Sequence, residues 1–282
     1  MREEPLRREE DEILCHEGPA AEGGCFALSD APSPEEDLPP SRDDYLQGAL
    51  RLWQPSRGPR ANVDTVLLGA FARARKGDRV LDLGCASGAV ALHLAWRFPG
   101  VTVLGVDIQR DLVALAERNA QENAQEDRVS FVAGDLRNPQ EFCAPESFDV
   151  VVANPPYGDG SLSRPSPSVQ AAMARHDLCC SLSQVARAAA FALRFGGRFY
   201  AVFRAARISA LLSTWQHFRL EPKRILPVYP KAGKDASVVL VGAVKGARPG
   251  GRMESPMILQ GEDGRFTPSL LQAYAREGLP CR

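Results

Sequence analysis

The sequence lacks any apolar run long enough to cross a membrane, any secretory leader and any paired cysteine motif. No stretch reaches the roughly 18 apolar residues of a membrane span. The first residues, MREEPLRREEDEIL, have neither the basic region nor the apolar region of a secretory signal. The seven cysteines are an odd number without a C-x-x-C pair, which argues against a disulfide framework and a zinc cage. These absences predict a cytoplasmic protein without a membrane segment or a metal site.

The net charge of −1 conceals two segments of opposite sign. Residues 1–44 contain 4 Lys and Arg against 14 Asp and Glu, a net charge of −10. Residues 45–282 contain 30 basic and 21 acidic residues, a net charge of +9. A basic body makes a polyanionic partner plausible, and solvated surface charge spread over all faces remains the alternative.

Composition and apolar spacing divide the chain into three parts. Residues 1–43 are acidic, rich in Pro and Gly and without apolar periodicity, which predicts a disordered tail. Residues 44–75 begin near Tyr45 with a short strand or hairpin and continue with apolar residues at helical spacing, which predicts an extension of the main domain. Residues 76–282 form the predicted main domain.

From Lys76 onward, strand and helix patterns alternate, which is typical of an α/β fold with a doubly wound, mostly parallel sheet. The last two strand patterns follow one another without a helix, so they predict a terminal antiparallel pair. The predicted strands cover residues 79–83, 101–106, 128–132, 148–153 and 197–203, and the pair lies in RLEPKRILPVYP and ASVVLVGAVKG. The predicted helices are AVALHLAWRF, DLVALAERNAQEN, the long segment 168–195 and ISALLSTWQHF.

The first of these strands runs into DLGCASGAV, where Gly84 and Gly88 allow a tight turn and a close approach of the backbone to a ligand. A dinucleotide loop would read G-x-G-x-x-G, because a pyrophosphate must sit against bare backbone. That triplet is missing here. The loop therefore favours an adenosine ligand without a pyrophosphate.

Three acids stand at the ends of consecutive predicted strands: Asp82, Asp107 and Asp135. Ligands of open α/β sheets bind at the carboxyl edge. Asp107 suits the two ribose hydroxyls and Asp135 suits an adenine amino group. For each acid alone, the alternative is a helix N-cap.

The fourth strand ends in Asn154, Pro155, Pro156 and Tyr157. The Asn154 side-chain oxygen and the Pro155 carbonyl are predicted to accept hydrogen bonds from an NH2 group, while the prolines keep the loop rigid and Tyr157 stacks on a base. These four residues are the predicted catalytic group. Asn-Pro as a simple turn is the alternative.

The segments DLGCASG, VDI, GDL and NPPY, in this order, resemble the class I S-adenosylmethionine-dependent methyltransferases. The resemblance implies a seven-stranded Rossmann-like sheet and S-adenosylmethionine as cofactor. It implies cofactor contacts from Asp82, Gly84, Ser87, Gly88, Asp107, Ile108, Asp135, Leu136 and Asn154. The family more often has Thr or Gly where this chain has Cys85 and Ala86, and often Glu where it has Asp107.

Flanking segments over residues 45–275 resemble the bacterial tRNA1(Val) (adenine(37)-N6)-methyltransferases, which implies tRNA as partner and N6 of an adenine next to the anticodon as acceptor. No obligate protein partner is evident. A release-factor glutamine N5-methyltransferase, which shares NPPY, and a non-catalytic RNA-binding protein are the alternatives. Basic residues that could contact phosphate are Arg175, Arg204, Arg207, Lys223, Arg224, Lys231, Lys234 and Lys245. His176 could stack on RNA or donate to it.

Overall fold

The computed structural model describes residues 39–155 and 181–280. These residues belong to one compact unit, Leu38–Arg282. Most of the predicted acidic tail lies outside the described residues, as do Pro156, Tyr157, Arg175 and His176.

The described residues contain eleven strands and six α-helices. The strands are β1 Ser41–Tyr45, β2 Leu50–Gln54, β3 Arg79–Leu83, β4 Thr102–Asp107, β5 Val129–Ala133, β6 Phe148–Ala153, β7 Leu193–Arg204, β8 Leu220–Lys231, β9 Val238–Lys245, β10 Arg252–Met253 and β11 Met257–Gln260. The helices are α1 Val63–Phe71, α2 Ala89–Arg97, α3 Arg110–Glu122, α4 Leu182–Ala192, α5 Ile208–His217 and α6 Pro268–Ala273, with 3-10 turns at Pro139–Glu141 and Ala205–Arg207.

Seven strands form the core of the main sheet in the order β5-β4-β3-β6-β7-β9-β8. Strands β3 to β7 are mutually parallel, and β9 runs antiparallel to both of its neighbours. This confirms the doubly wound α/β sheet with a terminal antiparallel pair. The sheet is nine-stranded, however, because β10 and β11 both pair in parallel with β8. These strands have only two and four residues, too few for a recognisable alternation.

The apolar residues of the strands separate into two cores, one on each face of the sheet. Val150 and Val152 of β6 pack on the side of α1, α2 and α3, whereas Val151 and Ala153 pack on the side of α4 and α5. Successive side chains of a strand point to opposite faces. A strand covered on both faces is therefore apolar at nearly every position, as the sequence of β6 shows.

Strands β1 and β2 form a separate antiparallel hairpin, with Ser41 opposite Gln54 and Tyr45 opposite Leu50. The hairpin begins at Ser41, inside the segment that composition assigned to the tail and four residues before the predicted start at Tyr45. The sequence of β1 is polar, so apolar periodicity gives no sign of it. Its charges find partners: Arg60 pairs with Asp43 at 2.6 Å, and Arg42 pairs with Glu122 of α3.

Of the long helix predicted over residues 168–195, the structure describes residues 181–195, and in this part the helix covers only Leu182–Ala192. The predicted start lies outside the described residues. Helix α4 starts after Ser181, whose backbone is extended at φ −64° and ψ 157° and whose side chain accepts a hydrogen bond from the Gln184 N–H. Gln184 bonds back to the Ser181 N–H, so Ser181 closes a capping box. The helix ends at Ala192, and Leu193 is already the first residue of β7.

Candidate functional site

The predicted site residues converge on the edge of the sheet where the parallel strands end. Leu83 lies opposite both Ala153 of β6 and Val106 of β4, and Asp107 lies opposite Ala133 of β5. The residues that follow these strands therefore leave the sheet next to one another. Gly84, Asp107, Asp135 and Asn154 all lie at this carboxyl edge. The order of the strands reverses between β3 and β6, which is where open α/β sheets bind their ligands.

The two glycines of the first turn serve different purposes. Both have positive φ, 74° at Gly84 and 83° at Gly88. A Cβ added to Gly84 would meet no atom within 4 Å, so the backbone there faces open space that a ligand can enter. A Cβ added to Gly88 would lie 2.6 Å from the ring of Phe131. Gly84 thus leaves room for a cofactor, whereas Gly88 allows α2 to pack against β5.

Asp107 fixes the shape of residues 84–88, which we call the glycine loop. One carboxylate oxygen accepts a hydrogen bond from the Ala86 N–H at 2.9 Å, and the other accepts one from the Gln109 N–H at 3.0 Å. A carboxylate offers about four lone-pair positions, so two remain for a ligand such as a ribose diol. The bond to Ala86 also holds that non-glycine residue at φ 47°, a conformation that costs free energy without such support.

Asp135, two residues beyond β5, is paired with the Arg137 guanidinium at 2.6 Å and also accepts the Arg137 backbone N–H at 2.8 Å. The hydrogen bond from the Arg137 side chain holds the pKa of Asp135 below its usual value. At neutral pH Asp135 is therefore an anion with a fixed orientation.

Two further predicted cofactor contacts directly follow these acids in the chain. Ile108, which follows Asp107, is half-buried, and Leu136, which follows Asp135, is buried.

Asp82 differs from the other two acids because it is buried inside the protein, between β3 and the start of α2. Its side chain is only 1% exposed and accepts a hydrogen bond from the Ala91 N–H in the first turn of α2 at 3.1 Å. Burial raises its pKa to about 7, the Ala91 bond opposes this shift, and the charge of Asp107 adds to it. The geometry favours support of the helix start, close to the N-cap alternative, over direct contact with a ligand.

Asn119 of α3 is a residue of this site that the sequence reasoning missed. It is fully buried, and its amide nitrogen donates to the backbone oxygen of Ser87 at 2.9 Å. Ser87 itself is buried and directly precedes Gly88. A signal was present in the sequence: AERNAQEN places two asparagines four residues apart, and asparagine is a poor residue for a helix interior.

Asn154 follows Ala153 directly and is half-buried, and Pro155 is buried. Both residues therefore stand beside the start of the glycine loop, as the sequence predicted. The other two members of the predicted catalytic group, Pro156 and Tyr157, lie outside the described residues. Within residues 39–155 and 181–280 there is no cluster of three or more His, Cys, Asp or Glu side chains that could hold a metal ion.

Comparison with known proteins agrees with this geometry. The family described as "Methyltransferase domain" matches residues 74–217, about half of the chain. The chain belongs to this methyltransferase family. S-adenosylmethionine is its methyl donor, and the open space at Gly84 with the carboxylate of Asp107 beside it fits an adenosine group. Over the part of the chain that the structure describes, no helix has the length and apolar character of a membrane span.

Two curated relatives and one solved structure show how far the similarity to this methyltransferase extends. A tRNA1(Val) (adenine(37)-N6)-methyltransferase of Bacteroides thetaiotaomicron is 30% identical over 67% of this chain and 78% of its own length. A release factor glutamine methyltransferase of Geobacter sulfurreducens is 36% identical over 35% of this chain and 33% of its own length. A predicted O-methyltransferase of Agrobacterium tumefaciens superposes with a TM-score of 0.65 over 78% of this chain and 99% of that one, and at 21% identity it shows the fold alone.

The buried carboxyl of Asp82 predicts a specific pH dependence of stability. Its pKa is about 7 in the folded protein against an ordinary value of 3.8, so between these values the folded state keeps a proton that the unfolded state has lost. The free energy of unfolding then falls as pH rises, by up to about 1.4 kcal/mol per pH unit. In Asp82→Asn this loss is absent. Urea denaturation at pH 5, 6, 7 and 8 should therefore show that the free energy of unfolding of the variant rises relative to that of the wild type up to about pH 7.

The comparison between variant and wild type also removes the effect of His93. This fully buried side chain has its pKa lowered to about 3 by burial and the charge of Arg97, so it contributes a slope of opposite sign between about pH 3 and 6.5. That contribution is common to both proteins and cancels in their difference. A difference that stays constant from pH 5 to pH 8 would contradict a raised pKa at Asp82.

Proposed function

We propose that this methyltransferase transfers the methyl group to the exocyclic N6 amino group of an adenine in tRNA, next to the anticodon. The extent of the similarity carries this proposal. The tRNA methyltransferase of Bacteroides thetaiotaomicron matches two thirds of the chain, whereas the glutamine methyltransferase of Geobacter sulfurreducens matches about one third. A match that extends well beyond a shared cofactor region favours a shared substrate.

We place the cofactor on the glycine loop and on the acids at the neighbouring strand ends. Asp107 accepts hydrogen bonds from the ribose hydroxyls, and Asp135 accepts from the adenine amino group. Asp107 ends β4, Asp135 lies two residues beyond the adjacent strand β5, and both carboxylates already accept hydrogen bonds from backbone N–H groups. The remaining contacts come from Gly84, Ser87, Gly88, Ile108, Leu136 and Asn154, with Asp82 supporting the loop from below.

We place the acceptor nitrogen at Asn154 and Pro155. When bound, S-adenosylmethionine supplies an electrophilic methyl group. The Asn154 side-chain oxygen and the Pro155 carbonyl accept hydrogen bonds from the amino group, which orients its nitrogen and stabilises the positive charge that develops on it. Pro156 restricts the backbone of the following loop, and Tyr157 provides the stacking face.

Three of the basic residues proposed for phosphate contact are engaged within the protein. Lys245 pairs with Glu146 at 2.8 Å, Arg224 pairs with Glu254 at 2.5 Å, and the Lys223 ammonium donates to two backbone oxygens at 2.5 and 2.6 Å. These three cations hold the fold together and are poor candidates for RNA contact.

Four of the other basic residues lie at the same edge as Asn154, and Arg175 lies outside the described residues. Arg204 ends β7 and Arg207 follows in the next turn, while Lys231 and Lys234 flank the tight turn between β8 and β9. Both lysines are exposed, and neither forms a hydrogen bond or ion pair through its side chain within the described ranges. Three strand spacings separate β6 from β8, about 14 Å in all, so an RNA strand entering at Asn154 passes these lysines.

A transfer assay decides the class of acceptor. The protein is incubated with methyl-labelled S-adenosylmethionine and, separately, with pools of tRNA, rRNA, DNA and protein. We expect label in tRNA. Label in protein, recovered as methylglutamine, would move the function to the glutamine alternative, which the 36% identity over 99 residues supports. Bound cofactor with no transfer to any pool would favour a non-catalytic RNA-binding protein.

Asn154→Ala separates catalysis from cofactor binding. Loss of the side-chain acceptor should lower kcat by about 100-fold or more, because the stabilisation it provides develops during the reaction. Cofactor affinity, measured by calorimetry, should change little, because Asn154 supplies only one of the proposed cofactor contacts and the others remain. Asp107→Ala is the matched variant and should do the reverse, weakening cofactor binding first. Full activity in Asn154→Ala would contradict the role proposed for that side chain.

Lys231→Ala combined with Lys234→Ala tests the RNA surface. Each lost contact to a single-stranded phosphate should reduce the slope of log affinity against log salt concentration by about 0.7, or about 1.4 for the pair. KM for tRNA should rise while kcat changes little. The control is Arg248→Ala, an exposed cation at the opposite edge of the sheet. Equal salt slopes in the two variants would show that these lysines do not contact RNA.

A further inference from the structure

Asn119 of α3 and Asn123, the residue that caps the C-terminus of this helix, bind the open edge of strand β2. The Asn119 side chain donates to the Trp53 oxygen at 2.9 Å and accepts from the Trp53 N–H at 2.6 Å. The Asn123 side chain does the same with Arg51, donating at 2.7 Å and accepting at 2.9 Å. Each amide therefore satisfies both backbone groups of one residue, as a neighbouring strand would.

The spacing of the helix matches that of the strand. Residues two apart in a strand lie about 6.8 Å from each other, and residues four apart in a helix lie about 6 Å apart along the axis. Asn119 and Asn123 can thus reach Trp53 and Arg51 without distortion. In this respect the two asparagines are equivalent, and together they attach the hairpin to α3.

Asn119 alone extends the connection to the glycine loop. Its amide nitrogen also donates to the Ser87 oxygen at 2.9 Å. The N–H of the same peptide group, that of Gly88, donates to the Cys85 oxygen at 2.8 Å. Because a peptide group is planar and rigid, these two bonds fix its orientation at both ends. The loop they fix contains Ala86 at φ 47°, which could relax if the peptide were released.

We propose that Asn119 is a positioning residue that couples the N-terminal hairpin to cofactor binding. It holds the Ser87–Gly88 peptide in the orientation in which the loop accepts the cofactor, and it does so only while Trp53 holds its amide. The inference rests on the proposed placement of the cofactor on the glycine loop and is independent of the methyl acceptor. The hairpin then contributes to the affinity of the site without touching the cofactor.

Asn119→Ala and Asn123→Ala form a matched pair of variants. Both lose a pair of hydrogen bonds to β2, but only Asn119→Ala releases Ser87. We expect Asn119→Ala to raise Kd and KM for S-adenosylmethionine about 10-fold, within the usual range of coupling between sites, and to leave kcat at saturation nearly unchanged. Asn123→Ala should leave both constants near the wild-type values. Equal effects in the two variants would overturn the inference.

Asp107→Ala distinguishes failure of this inference from failure of the cofactor placement. If Asp107→Ala weakens cofactor binding while Asn119→Ala behaves like Asn123→Ala, the placement stands and the coupling is wrong. If Asp107→Ala leaves the affinity unchanged, the placement is wrong and the coupling falls with it.

A measurement on the wild-type protein tests the same coupling without a substitution. Coupling is reciprocal, so a ligand on the loop must stabilise the bond between Asn119 and Trp53. Hydrogen exchange with and without S-adenosylhomocysteine should show added protection at the Trp53 amide and little at the Arg51 amide, which is bonded to Asn123. Unchanged exchange at Trp53, or equal protection at both amides, would overturn the inference even if Asn119→Ala did not fold.

Discussion

The register between two neighbouring parallel strands is the constraint on which the site depends. Because Leu83 lies opposite Ala153, the glycine loop and Asn154 leave the sheet side by side although 70 residues separate them in the chain. A shift of one residue would turn the side chains of β6 to the opposite faces of the sheet. The two apolar cores oppose such a shift, so the packing that stabilises the sheet also places the glycine loop next to Asn154.

The glycine loop owes its conformation to its neighbours more than to its own sequence. The Val106 oxygen accepts hydrogen bonds from the first two N–H groups of the loop. The Asp107 carboxylate accepts one from the Ala86 N–H, and the Asn119 amide donates one to the Ser87 oxygen. Gly84 faces open space, because a Cβ added there would meet no atom within 4 Å. Cys85 and Ala86 stand where related methyltransferases more often have Thr or Gly. The positive φ of Ala86 is supported from outside the loop by the hydrogen bond from its N–H to Asp107.

Sequence patterns predicted the parallel core well and its periphery less well. Strands β3 and β6 lie where their apolar runs placed them, because buried parallel strands carry that signal at nearly every position. The polar strand β1 and the short strands β10 and β11 carry no such signal and are defined by their partners. The position of Asp107 and Asp135 at one edge of the sheet could be predicted because the carboxyl ends of parallel strands converge there. Asn119 was not predicted, because its role depends on contacts with residues 32 and 66 positions away.

The central claim is that one adenine amino nitrogen receives the methyl group at Asn154. It is tested most directly by incubating the protein with S-adenosylmethionine and an unmodified tRNA transcript, digesting the RNA and identifying the methylated nucleoside. The proposed function predicts N6-methyladenosine, approaching one per tRNA molecule. A product methylated on a ring nitrogen or a ribose oxygen would contradict the account, because hydrogen bonds from Asn154 and Pro155 to an amino group would then have no part in the reaction.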